Sequence, residues 1–63
     1  MLSNELTLKA LERAGAELIR AQERRDDVIA RAFEEGVPIR EIARRVGLTA
    51  PGVYYRLGRM GVR

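Results

Sequence analysis

From Leu6 to Phe33 the chain repeats apolar residues at helical spacing, with no proline in the run. Placed at about 100° per residue, Leu8, Leu11, Leu18, Ile29 and Phe33 share one face, flanked by Ala14, Ala21, Val28 and Ala32. Ser3 or Asn4 can cap the start of this helix, which is predicted to run to about Glu35. Only Gly15 interrupts it, at a cost of about 1 kcal/mol relative to alanine. Unbroken, such a helix extends about 45 Å, longer than a globule of this chain length is wide. One polar block, Gln22 to Asp27, breaks the apolar face and marks the only candidate boundary. Two arrangements fit it. Asp26 can cap a new helix after a bend, or one helix can pass through with the block as a solvated bridge. The absence of glycine and proline favours the continuous helix. Asp27 and Arg31 offer a stabilising pair four residues apart, whereas Glu23 and Asp27 are like charges at the same spacing.

After Glu35 the pattern shortens. Gly36 reads as a C-terminal cap, and Pro38 restarts the chain as the first helical residue, where its missing N–H is harmless. Ile39, Ile42, Ala43 and Val46 form the buried stripe of a helix over 38–46. Gly47 suits a left-handed turn, with Leu48 plugging the core behind it. Thr49 is a natural N-cap for a last helix over 49–59, its hydroxyl facing the N–H of Gly52. Val53, Leu57 and Met60 share one face of that helix, and Gly58 and Gly61 let its end fray. No alternating β-type run occurs. The expectation is an all-α fold with three to four helices, divided into an N-terminal helix (1–25) and a C-terminal unit (26–63).

The first of these parts has more apolar face than the rest of so short a chain can cover. Leu8, Leu11, Ala14, Leu18 and Ala21 follow the 3-4 spacing of a helix-pairing seam, and the small alanines allow close approach. The face can pack onto its own domain or onto a second copy; the shortage of covering chain favours a homodimer. A domain of this size buries only about 60% of its unfolded surface, so a partner also relieves a marginal core.

Charge sharpens the division. Net charge is +3. Residues 1–35 carry six basic and eight acidic side chains, whereas residues 36–63 carry Arg40, Arg44, Arg45, Arg56, Arg59 and Arg63 against Glu41 alone. A basic half beside a mildly acidic one is the footprint expected for a polyanion partner. With neither cysteine nor histidine, disulfides are excluded, the usual zinc ligands are missing and no Cys- or His-based nucleophile pair can be built. No glycine-rich phosphate loop is present. The chain is expected not to be an enzyme and to use no cofactor or metal. It has no basic start followed by an apolar run, and no apolar stretch approaches the roughly 18 residues of a membrane span. A cytoplasmic, nucleoid-associated location is expected.

With Ile39 as its first position, Ile42, Ala43, Val46, Gly47 and Leu48 fall where a twenty-residue helix-turn-helix places apolar, small and glycine residues, and Val53 and Leu57 supply the second helix's inward face. The string EEGVPIREIARRVGLTAPGVYYRL resembles the helix-turn-helix at the C-terminal end of site-specific resolvases and invertases. It is also similar to that of small actinobacterial and phage regulators with a long N-terminal helix. The resemblance covers roughly residues 26–58. It implies a homeodomain-like arrangement in which the second helix enters the major groove of double-stranded DNA. By the resemblance, Pro51 and Tyr55 occupy positions that touch base edges. This chain departs from the family there, with Ala50, Pro51 and Gly52 where Arg, Ser, Gln or Asn are common. It departs again at Pro38, where a serine often forms a capping box with the acid three positions on, here Glu41.

Phosphate contacts are expected from Arg40, Arg44, Thr49, Tyr54, Arg56, Arg59 and Arg63, with Tyr55 the best single residue for reading a base. Arg45 has Glu41 as an alternative partner, and Arg56 can instead cover Val53 with its stem. Arg13, Arg20, Arg24 and Arg31 alternate with acids and read as solvated ion pairs. The function expected is a sequence-selective, homodimeric transcriptional regulator of bacterial or phage type. The alternatives are a nucleoid-type architectural protein with little base readout, or a protein-interaction module acting through the long helix.

Overall fold

The computed structural model describes residues 4–62 and contains three helices: α1 (Asn4–Glu34), α2 (Ile39–Val46) and α3 (Ala50–Met60). The Ser3 alternative for the first cap lies outside the described residues. α1 passes unbroken through the polar block at 22–27. Four residues of that block, Gln22, Glu23, Arg24 and Asp27, are exposed as a solvated bridge would be, but Arg25 and Asp26 are not. Asp26 turns inward, and Arg56 of α3 donates to its carboxylate at 3.3 Å. The predicted Asp27–Arg31 pair does not form among the described residues; the two side chains stay in solvent.

Glycine ends α1 because the chain must turn left-handed there. Gly36 has φ +89°; its N–H donates to the Phe33 carbonyl and that of Val37 to the Ala32 carbonyl, each at 3.0 Å. Two carbonyls that the helix end leaves open are thereby satisfied, and Val37 is carried back against the core. Pro38 then sits one residue outside α2, as its N-cap, and not as its first helical residue. Its ψ of 142° is extended, yet its carbonyl already accepts from Glu41 and Ile42 at 3.0 Å. α2 stops at Gly47, φ +75°, with the Leu48 N–H bonded back to the Ala43 carbonyl at 2.9 Å. At the end of α3, where Gly58 and Gly61 suggested fraying, the structure has a defined cap. Gly61 closes it with the same kind of cap, and the Val62 N–H reaches the Leu57 carbonyl at 3.0 Å.

The core is small and shared by all three helices. Ile29 of α1, Ile42 and Ala43 of α2, and Val53 and Leu57 of α3 are buried, with Phe33, Val37, Ile39, Val46, Leu48 and Met60 partly covered around them. Of the apolar face predicted on α1, only its C-terminal end meets this core. Leu8, Leu11 and Leu18 are exposed, as is every residue from 4 to 24. The molecule is accordingly an arm, residues 4–24, projecting from a three-helix head, and measures 53 × 20 × 16 Å.

Leu57 is fully enclosed, so Leu57→Ala should lower stability by about 2–5 kcal/mol through lost transfer energy and a residual cavity. Lys9→Ala, on the exposed arm, should stay within about 0.5 kcal/mol. Chemical denaturation of both variants measures the difference, and equal losses would contradict the division into arm and head.

Candidate nucleic-acid interface

α3 owes its orientation to one cap and one inward face. The Thr49 hydroxyl accepts from the N–H of Gly52 at 3.2 Å, satisfying one of the free donors at the helix start. Val53 and Leu57 point into the core with no exposed surface. Helical periodicity then turns Pro51 and Tyr55 away from the core, and both are exposed, as are Tyr54 and Arg59 on the flanks. Ala50 and Gly52 are half-buried. The Arg59 guanidinium lies 5.9 Å from the centre of the Tyr55 ring, near enough for a cation–π contact that restrains both side chains. Gly52 is confined by its own cap: a Cβ there would come within 3.3 Å of the Thr49 hydroxyl oxygen.

The arginines divide into three groups. Arg40 is exposed beside Pro38, Glu41 and Arg44, and has no ion-pair partner among the described residues. Arg44 and Arg45 both donate to Glu41, at 2.6 and 2.7 Å. The Arg45–Glu41 alternative is therefore present, and Arg44 shares the same carboxylate. The hydrogen bond from Arg44, then that from Arg45, holds the Glu41 carboxyl below the usual carboxylate range. Arg56 points back toward α1, its Nη1 at 3.3 and 3.5 Å from the two Asp26 oxygens, with both side chains largely covered. Arg25 adds a longer approach to Asp26, 3.9 Å from its Nε. The Asp26 carboxylate thus sits between two guanidiniums and fastens α3 to the long helix.

Of the residues read from the sequence as contacting DNA, Thr49, Ala50, Pro51, Gly52, Tyr54, Tyr55 and Arg59 lie together on or beside the outer side of α3, and Arg40 and Arg44 lie on α2. Arg56 stands apart from them in its tie to Asp26. Arg63 lies outside the described residues. Leu8, Leu11, Ala14, Leu18 and Ala21 are exposed along the arm and take no part in the head. The Asp26–Arg56 link was missed because its partners are 30 residues apart and no local spacing joins them. Among the described residues no cluster of acids could hold a metal ion, and no helix is long and apolar enough to cross a membrane. Comparison with known protein families, curated proteins and solved structures found no match.

Because its folded pKa is depressed, Glu41 contributes stability that is complete above the ordinary carboxylate range and is lost as pH falls through the folded value. Between about pH 6 and pH 2, Glu41→Gln should therefore show a shallower decline in stability than the parent chain. Thermal unfolding followed by circular dichroism at stepped pH checks this; identical pH profiles would contradict it. Thr49→Ala should cost about 1 kcal/mol in the same assay.

Proposed function

We propose that the head binds double-stranded DNA as a helix-turn-helix, with α3 in the major groove and two copies acting as a homodimeric regulator. One observation carries the reading. α3 is anchored by fully buried Val53 and Leu57, and its opposite face exposes Pro51, Tyr55 and Arg59 on a half-chain with six arginines and one acid. A capped, rigid helix projecting its uncovered side from a cationic body matches the demand of groove insertion.

In this reading Arg40, Arg44, Arg59, Tyr54 and the Thr49 hydroxyl meet phosphates, joined by the N-terminal amides of α3. Arg56 acts indirectly, holding α3 against Asp26. Tyr55 carries base readout with its hydroxyl and ring. Ala50, Pro51 and Gly52 offer close approach and contact with thymine methyls, and no hydrogen-bonding side chain. That apolar tip favours a second reading, an architectural protein with weak sequence preference. A specific-to-random affinity ratio below about tenfold, against the usual 10³ or more, selects the second over the first.

The test is DNA binding by fluorescence anisotropy over a salt titration. Arg40→Ala and Arg59→Ala should weaken binding at every site and reduce the slope of log affinity against log salt by about 1 each. Tyr55→Ala should flatten preference among sites while leaving random-site affinity nearly unchanged. Unaltered affinity and slope in all three variants would sink the reading.

A further inference from the structure

We propose that the arm pairs antiparallel with the arm of a second copy, about a twofold axis near Ala16, and that this pair is a spacer between two heads. The proposal deepens the homodimer named above: its spacing element rests on the DNA-binding reading, whereas its pairing and register do not.

The first ground is exposure. Residues 4–24 are all exposed, only Ile19, Gln22 and Glu23 among them bordering a cleft with α3, and Leu11 and Leu18 are 63% and 59% exposed. A helix of this length is marginal in water when nothing covers its apolar face. The second ground is the shape of that face. Its two alternating seam positions hold leucine at 11 and 18, and alanine at 14 and 21. A parallel pair sets like on like, leucine on leucine and then alanine on alanine, so successive layers demand different helix separations. An antiparallel pair sets Leu11 against the partner's Ala21 and Leu18 against the partner's Ala14. Every layer then joins a large residue to a small one at a constant separation.

The third ground is where the head stands. Ile29 points into the head, and Leu11 and Leu18 lie within about 20° of it around the helix. Seam and head therefore occupy the same side of α1. A parallel partner would bring its own head into the space this head fills, whereas antiparallel arms place the heads at opposite ends, each beside the other's first turn.

The same register accounts for features that have no role within one chain. Leu6, at 80% the most exposed large apolar residue among the described residues, falls beside the partner's half-exposed Val28. Val28 opens a groove of about 120 Å³ lined mainly by apolar Ile29, Ala32, Val37, Ile42 and Val46, with Glu41 and Arg45 at its edge. On the other flank, Leu8 falls beside the partner's Gln22, at the cleft that Ile19 and Met60 line. A Cβ added at Gly15 would meet nothing in the single chain, although glycine costs a helix interior about 1 kcal/mol. In the pair it lies next to the axis, where the arms come closest. Asp26, the anchor of α3, stands ten residues from the axis, which places the two anchors about 30 Å apart at 1.5 Å per residue. That is close to the roughly 34 Å of one turn of DNA.

The chain has no cysteine, so directed disulfides test the register without background. Leu11→Cys and Ala21→Cys chains are purified separately, mixed without DNA and mildly oxidised; Leu18→Cys with Ala14→Cys forms an independent second pair. In each pair the mixed disulfide should far exceed the 1:2:1 proportion of random pairing, with helicity by circular dichroism matching the parent. A homodisulfide between two Leu11→Cys chains as the main product means parallel arms and overturns the proposal. Absence of the mixed disulfide in both pairs overturns it equally. A chain that stays monomeric and still binds DNA removes this inference and leaves the DNA-binding reading standing; a mixed-disulfide dimer that ignores DNA does the reverse. Sites selected from random DNA should show inverted half-sites about 10–10.5 base pairs apart, centre to centre.

Discussion

The burial of Ile29 between α2 and α3 is the constraint on which the rest depends. It is the one α1 side chain that is fully enclosed. Without it, Ile42, Ala43, Val53 and Leu57 would face each other across a two-helix hairpin too small to exclude water. A core of this size leaves little margin, and its polar fastening is therefore placed at the edge. The Arg56–Asp26 pair joins α3 to α1 where both side chains are mostly covered and water screens the attraction less than it would at a fully exposed site. Packing sets the distance between the helices; the ion pair restrains how α3 rotates on α1.

The head surface divides its arginines by what else they can reach. Glu41 occupies Arg44 and Arg45, so α2 presents a compact cluster of net charge +1, with Arg40 outside it. Arg56 is turned to a structural task. Among the described residues of this half-chain, the arginines without a carboxylate partner are therefore fewer than the composition implies: Arg40 on α2 and Arg59 on α3. Long-range attraction still follows the net charge of the half-chain, since pairing redistributes positive potential without abolishing it.

Much of this was legible because it is local. Gly36, Gly47 and Thr49 stand where short-range backbone geometry requires them, and each adopts the conformation its residue type implies. The inward faces of α2 and α3 follow from spacing alone. Pro38 was misplaced by one residue, since a fixed φ suits both the cap and the first helical position and only ψ separates them. Gly61 was misread because a glycine that loosens a helix and one that ends it look alike in sequence. The inward turn of Asp26 had no local signal at all, because its partner comes from another helix. On α1 the periodic face was visible, but periodicity carries no information on where the head stops. That boundary, near residue 25, is set by how much chain α2 and α3 can supply.

Gly52 fixes how this surface can change over generations. A side chain at that position would press on the hydroxyl that caps α3, so new chemistry there would require the Thr49 side chain to give by a few tenths of an ångström. Variation that retunes the outer face is channelled instead to positions 50, 51 and 55, whose alteration leaves the cap intact. Substitutions at those positions would thus exchange the chemistry presented while keeping one frame.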